Sequence, residues 1–456
     1  MPYKRPLKKR VCVLSEKNAP KVGVASAIAL VIANMIGTGV FTSLGFQLDG
    51  IKHPLSVLLL WVIGAIAALC GAMVYGELGA AMPRSGGEYH YLSKTYHPSV
   101  GFLSGWISVF VGFPAPIALA AMAFGAYFSG VFPVASPQML AVTVLVVLTL
   151  IQCLGVKIGA SFQNIFSSFN VILILLLVIT GLFFSEKSVP VQLTFDGGIL
   201  RDIASPAFAV SLVYVSYAFS GWNASAYIAG EINRPQKNLP LSLCLGTVLV
   251  AVLYLLLNYT FMATSTVGEL AGQIDVGYIC AGNIFGPRGR DIVGCIISVL
   301  LVSSISSFIF VGPRIMQVIG EDYPLLGRFS LRTKQGVPLA AMLFQSLISL
   351  ILVATSSFET VLIYVGFALN VCTFLTVLGV FVCRIRFPDM PRPYKTWGYP
   401  VVPIVFLLIM GWNLVYLLLE RPIASVAGLL TMLLGLVFYF AIGAVKPHND
   451  AEREIV

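Results

Sequence analysis

Charge is what this sequence has least of. Asp, Glu, Lys and Arg make up 10% of its 456 residues, against 58% hydrophobic residues. Soluble domains carry about 25% charged residues, so a water-facing surface over the whole chain is excluded. The shortage is also concentrated, with no charge between Val22 and Leu48, between Val100 and Val156, or between Ile158 and Ser185. The eight cysteines form no CxxC and no Cys/His cluster. Neither a metal centre nor a disulfide framework is therefore indicated. Cys70, Cys153, Cys244, Cys295, Cys372 and Cys383 fall instead within or at the ends of apolar runs. The four histidines, His53, His90, His97 and His448, lie near loops without a nucleophile–base set, which argues against an enzyme and implies no cofactor. No pore-lining ring of polar or charged residues is visible, which argues against a channel or receptor.

What is present is a series of long apolar runs. A helix of about 20 apolar residues crosses a hydrocarbon core of ~30 Å. Where water is absent the backbone must satisfy itself, so helix is the expected form. Twelve spans are predicted, at 22–46, 54–80, 99–130, 138–156, 163–184, 204–230, 239–266, 291–313, 336–356, 359–383, 398–418 and 422–444. The third is long enough to be strongly tilted. The chain then divides into a basic segment at 1–21, a twelve-helix domain at 22–444 and a tail at 445–456. An even number of spans puts both termini on one side. If that side is the cytoplasm, all of the 28 Lys and Arg except Lys52, Lys187, Arg201, Arg288, Arg290 and Arg421 fall inside, as the positive-inside rule requires. The net charge of +9 then reports topology and no nucleic-acid partner. The first run is too long for a cleaved signal's apolar core, so it reads as a retained helix.

Two spans are interrupted. The first contains Asn34-Met35-Ile36-Gly37-Thr38-Gly39-Val40-Phe41 and the sixth Tyr217-Ala218-Phe219-Ser220-Gly221-Trp222-Asn223. Glycine costs ~1 kcal/mol against alanine inside a helix, so both stretches favour unwinding. The breaks stand five spans apart, as the first helix of each of two repeats would. Paired interruptions of this kind mark transporter binding sites near the bilayer midplane. Freed N–H groups at the start of a half-helix suit a carboxylate, and freed carbonyls suit an ammonium. An α-amino acid carries both. No Asp, Glu, Lys or Arg lies deep in a span, so the zwitterion is expected to bind without charged side chains. The plainer alternative is that Gly37 and Gly39 only permit close helix packing. Likewise Ser303, Ser304, Ser306 and Ser307 can bond to their own helix.

Several segments resemble the amino acid–polyamine–organocation (APC) superfamily, particularly its amino-acid permeases and L-type exchangers. They are Ile36–Phe41; Tyr75-Gly76-Glu77-Leu78-Gly79-Ala80-Ala81-Met82-Pro83-Arg84-Ser85-Gly86-Gly87-Glu88-Tyr89, running on to Gly101–Trp106; Phe219–Asn223 with Glu231, Pro235 and Asn238-Leu239-Pro240; and Pro313-Arg314 with Glu321-Asp322. The resemblance spans about residues 22–444. It implies an all-α integral membrane fold of twelve helices, a LeuT-type 5+5 inverted repeat with broken helices one and six, and alternating access. It also implies roles for residues here. Thr38 and Gly39 would hold the substrate carboxylate. Met35 and Ile36, with Tyr217, Ala218 and Ser220, would offer carbonyls to the ammonium, and Tyr217 would close over the substrate. Gly37, Phe219, Gly221 and Asn223 complete the expected site. Glu77 and Glu231 would be gate or bundle contacts. Many of these exchangers carry a lysine where this sequence has Asn170, after Gln163-Asn164-Ile165-Phe166. An amide cannot titrate near neutral pH, so proton coupling at that position is not expected. A sodium ion could instead sit between first-span carbonyls and Ser303 and Ser307.

The expected function is secondary transport of neutral L-amino acids in the plasma (cytoplasmic) membrane, by exchange. A cationic amino-acid or polyamine antiporter, and a sodium- or proton-coupled symporter, stay open beside it. The expected partners are the amino-acid substrate and the lipid bilayer; the residues set neither an oligomeric state nor an accessory subunit.

Overall fold

The computed structural model describes residues 22–154, 160–185, 187–191, 193–195, 197–333 and 337–441. The basic segment 1–21, the tail 445–456 and the side chains of Gln163–Phe166 and Glu321-Asp322 lie outside this set.

Among the described residues the chain is helical, with no strand beyond one isolated bridge between Val22 and Ile232. The α-helices are α1 (Val24–Met35), α2 (Thr38–Gly50), α3 (Pro54–Ala81), α4 (Gly87–Thr95), α5 (Pro98–Ile107), α6 (Pro114–Val131), α7 (Pro137–Cys153), α8 (Ala160–Phe183), α9 (Gly197–Ile203), α10 (Pro206–Phe219), α11 (Ala224–Tyr227), α12 (Pro235–Thr264), α13 (Val267–Leu270), α14 (Val276–Asp322), α15 (Leu339–Thr355), α16 (Phe358–Arg386), α17 (Val401–Glu420) and α18 (Pro422–Ala441). Many begin where proline meets a capping side chain. Ser136 and Ser205 accept from the N–H of Met139 and Phe208, each at 3.3 Å, just before Pro137 and Pro206. Proline at the first position loses a donor that has no helical partner anyway.

Among the described residues eight helical segments are long and apolar enough to cross a membrane, or nine if the bent pair Gly197–Ile203 and Pro206–Phe219 is one span. Three further apolar helices, Pro137–Cys153, Phe169–Phe183 and Leu339–Thr355, are shorter. The outward faces are greasy. Leu241, Leu245, Val248, Leu249 and Val252 project from α12, and Leu408, Val415 and Leu419 from α17. Such surfaces have no stable place in water; with helices of this length they mark an integral membrane protein.

Two predicted spans have an internal structure that apolar length alone does not show. The third, 99–130, holds a π-helical turn at Ser108–Gly112 where Phe113 N–H reaches the Ser108 carbonyl at 3.1 Å. Pro114 has no N–H to donate and would crowd the carbonyl four residues back, so the ladder widens by one residue before it. The eighth, predicted at 291–313, belongs to a longer run, Val276–Asp322, in which two helices meet at Gly286 with φ +72°. Its last turns occupy part of the segment expected as a connecting loop. Packing brings α2 onto α10 and α1 onto α12, with α14 against α6, so both interrupted spans sit at the centre of the bundle.

Candidate functional site

The first span breaks between Met35 and Thr38. Ile36 is extended at φ −77°, ψ 102°, and Gly37 at φ −150°, ψ −148° precedes the first residue of α2. The sixth breaks after Phe219, in a turn where Ser220 N–H reaches the Tyr217 carbonyl (2.9 Å) and Gly221 takes φ +98°. Gly221 also lies where a Cβ would fall 2.5 Å from the Asn34 carbonyl oxygen. Both its backbone angle and its close approach therefore demand glycine. Reciprocally, a Cβ on Gly39 would fall 2.6 Å from Ala218 Cα. The two breaks are in direct backbone contact.

Hydroxyls hold them together. The Thr38 and Tyr217 hydroxyls lie 3.3 Å apart. Tyr254, on α12, places its hydroxyl 2.6 Å from the Met35 carbonyl and 3.1 Å from that of Ala218. Two of the carbonyls expected to face an ammonium are thus already partnered on one side by a phenol. Each carbonyl has a second lone pair to offer. Sequence reasoning missed Tyr254, which nothing in its neighbourhood singles out. It also stacks edge-on against Trp61 and Phe219, at 5.5 and 5.2 Å between ring centroids.

The breaks border a cavity of about 880 Å³, within the range of small-molecule sites. Its lining includes Met35, Ile36, Gly37, Thr38 and Gly39 from the first break. Tyr217, Ala218, Phe219, Ser220, Gly221 and Asn223 line it from the second. Asn170, Ser303 and Ser307 also line it, so one space brings together every residue singled out for substrate or ion. The cavity opens at the end marked by Ser85, Glu231 and Arg314, which line it and are exposed. The opposite end is shut. There Phe46 stacks on Phe358 at 5.5 Å, Ser43 donates to the Tyr214 carbonyl at 3.3 Å, and Tyr214 donates to Glu359 at 2.6 Å.

The expectation of a site without charged side chains needs correction. Glu88 lines the cavity while only 4% exposed, and Glu231 and Arg314 line its mouth. Glu88 sits on α4, outside the apolar windows, so its distance from any span concealed it. The fold turns α4 back into the bundle, where Tyr75 and Asn223 donate to one Glu88 oxygen at 2.8 and 2.9 Å. Burial pushes the Glu88 carboxyl up to about 7 against the pull of those donors and Ser104. Glu77 lies elsewhere, clamped by Arg384 Nε and Nη2, each at 2.8 Å, and by Thr396 N–H at 2.7 Å. Among the described residues no group of three His, Cys, Asp or Glu could hold a metal ion.

A membrane-embedded helical bundle whose two broken helices border a one-ended central cavity defines a carrier-type membrane protein. The chain belongs to the amino acid permease family, whose model matches residues 22–438, within the APC superfamily. Its relatives include the mouse b(0,+)-type amino acid transporter 1, 27% identical over 432 residues, covering 92% of this chain and 87% of the relative. The mouse large neutral amino acids transporter small subunit 2 is 28% identical over 440 residues, covering 94% of this chain and 82% of the relative. The human form of that subunit is 28% identical over 440 residues, covering 94% and 81%. Membership confirms the resemblance carried by the sequence motifs and places the chain among transporters, not enzymes.

Proposed function

We propose that this chain moves neutral L-amino acids across the plasma membrane by alternating access, exchanging one amino acid for another. The observation that carries the reading is the cavity at the meeting of two helix breaks. The amino end of α2, with the Thr38 hydroxyl and Gly39 N–H, offers a positive dipole to the carboxylate. Carbonyls of Met35 and Ile36 at the first break, and of Ala218 and Ser220 at the second, are available to the ammonium, and Tyr217 is the aromatic closing over it. Twelve spans in a 5+5 inverted repeat accommodate these positions, with the cavity's open end and both termini at the cytoplasm. The amide of Asn170 supplies no titratable charge, which favours exchange over proton coupling at that position. Ser303 and Ser307 are read as structural serines.

Amino-acid preloading tests this reading. Liposomes filled with alanine or leucine should accelerate uptake of labelled neutral amino acid many-fold over empty ones, with little response to sodium. Concentrative uptake into empty liposomes driven by sodium alone would replace exchange with symport and make Ser303 and Ser307 ion ligands. Glu88 favours a second reading, a cationic substrate, because a carboxylate in the wall could face a basic side chain. Its oxygen already accepts from Tyr75 and Asn223, and an unpaired buried cation is costly, so neutral substrates stand first. Alanine, serine and leucine should therefore outcompete arginine and putrescine, and the reverse order would select the cationic reading.

The orientation has its own test. Single cysteines placed in 185–203 should react with an impermeant thiol reagent from outside intact cells, and those in 385–395 should not. The opposite pattern would invert the topology.

A further inference from the structure

We propose that Glu88 is a proton-binding site in the cavity wall, taking up a proton as the cavity closes and releasing it as the cavity opens. The proposal deepens the transport reading above and rests on it for its link to rate.

The geometry isolates this carboxyl from the other acids near the cavity. Glu231 is exposed at the mouth, and Glu77 is neutralised by the Arg384 fork. Glu88 lines the cavity wall at the second residue of α4, 4% exposed toward the open cavity. The groups acting on it come from every neighbouring element. Tyr75 faces it from α3, Tyr91 from its own helix, Ser104 from α5, Asn223 from the second break, Tyr227 from α11 and Cys372 from α16. At neutral pH phenols, thiols, amides and hydroxyls are all uncharged, so none of these supplies a counter-ion. The ionised form relies on hydrogen bonds and on water in the open cavity.

That dependence sets the sign. Burial has already pushed Glu88 up to about 7. Closing the mouth removes cavity water, which penalises the charged form further. Closure must then strengthen proton binding, and by linkage a bound proton must favour closure. Below about pH 7 Glu88 enters the cycle protonated and closing is easy; above it, closing must wait for a proton drawn from cavity water. Under alternating access the cavity reopens on the opposite side and the proton is released there. The return half of the exchange carries one back by the same steps, so no net proton need cross in a complete turnover. Asn223, the partner of Glu88 at 2.9 Å, is the point where the change reaches the broken helix. A neutral Glu88 binds that amide less strongly than a carboxylate does, which frees the turn to move.

Glu88→Gln tests the proposal, since glutamine keeps the shape and the acceptor oxygen but cannot titrate. Two measurements separate it from the transport reading. The first uses purified protein without substrate and records pH-difference infrared spectra between about pH 5.5 and 8.5. Wild type should show a carboxylic-acid C=O band that titrates near neutral pH, and the variant should lack that component. The second is amino-acid exchange in proteoliposomes held at equal internal and external pH. Wild type should run several-fold faster at about pH 6 than at pH 8, and the variant should run equally at both. An unchanged infrared band, or a variant keeping the wild-type pH ratio, overturns the proposal. Selective loss of basic amino acids with the pH ratio intact also overturns it, in favour of a carboxylate that contacts substrate. If the variant does not transport, the infrared result decides alone. If wild type moves no amino acid, the transport reading fails while the spectra still report on Glu88.

Discussion

Gly39→Ala should lower exchange roughly 10- to 100-fold, and Gly39→Leu should abolish it. The added methyl would stand 2.6 Å from Ala218 Cα and 2.9 Å from its Cβ. Backbone cannot rotate away as a flexible side chain can, so the two breaks must separate. Overpacking of this kind costs about 1–3 kcal/mol, and 1.4 kcal/mol is tenfold in an equilibrium. The separation would also move the proposed carboxylate and ammonium sites relative to each other, and a shift of ~1 Å can cost about 100-fold in a positioned site. Gly268→Ala is the matched control, because its Cβ would meet no atom within 4 Å and it lies outside the cavity lining. Initial counterflow rates, normalised to monodisperse purified protein, make the comparison. A Gly39→Ala protein working at wild-type rate would show that the contact between the breaks is not needed for turnover.

Loss of the Glu77 carboxylate should be the most destabilising single change away from the cavity. Arg384 grips it with two bonds of 2.8 Å, Thr396 N–H adds a third of 2.7 Å, and Arg392 lies 3.7 Å away. The Glu77 side chain is 2% exposed and that of Arg384 23%. Removing one partner of a buried pair costs about 3–5 kcal/mol, because the other charge is stranded. Against a total stability of ~5–15 kcal/mol that is enough to empty much of the folded population. Glu77→Ala should elute largely as aggregate after extraction, and Glu77→Gln should fall between it and wild type by keeping an acceptor for Thr396. The exposed pair Lys187–Glu269, with side chains 39% and 37% exposed, is the contrast. Its loss should cost at most about 1 kcal/mol. Equal thermal stability of Glu77→Ala and wild type in detergent would refute the assignment of Glu77 as a structural anchor. This anchoring agrees with the expectation that Glu77 is a bundle contact, and a proton site is better sought at Glu88.

The parts legible from sequence were those written locally. A charge-free run of apolar residues can only be a membrane helix or a buried one, whatever it packs against. Gly37 and Gly221 mark breaks because backbone freedom belongs to the residue itself, whereas Gly39 lies inside α2 and its smallness serves the close approach to Ala218. The fit of Pro114 to a widened turn is nearly as local, although apolar periodicity passed over it. Sequence also placed Met35–Gly39 beside Tyr217–Asn223, and the cavity is lined by both stretches.

What only the tertiary structure decided is which distant groups meet. Thr38 finds Tyr217 at a separation of 179 residues, and the Tyr254 hydroxyl reaches Met35 across 219. Glu77 finds Arg384 across 307 residues. Glu88 shows the limit most plainly. It stands in a polar stretch between spans, where a carboxylate costs nothing in water and carries no signal. Turned inward, 135 residues from Asn223 along the chain, the same carboxylate becomes a buried acid in the cavity wall. Hydropathy and glycine report the local cost of a conformation, and so determine class, span and break. Burial, pairing and proton affinity depend on what the folded chain brings alongside, and no local pattern encodes that.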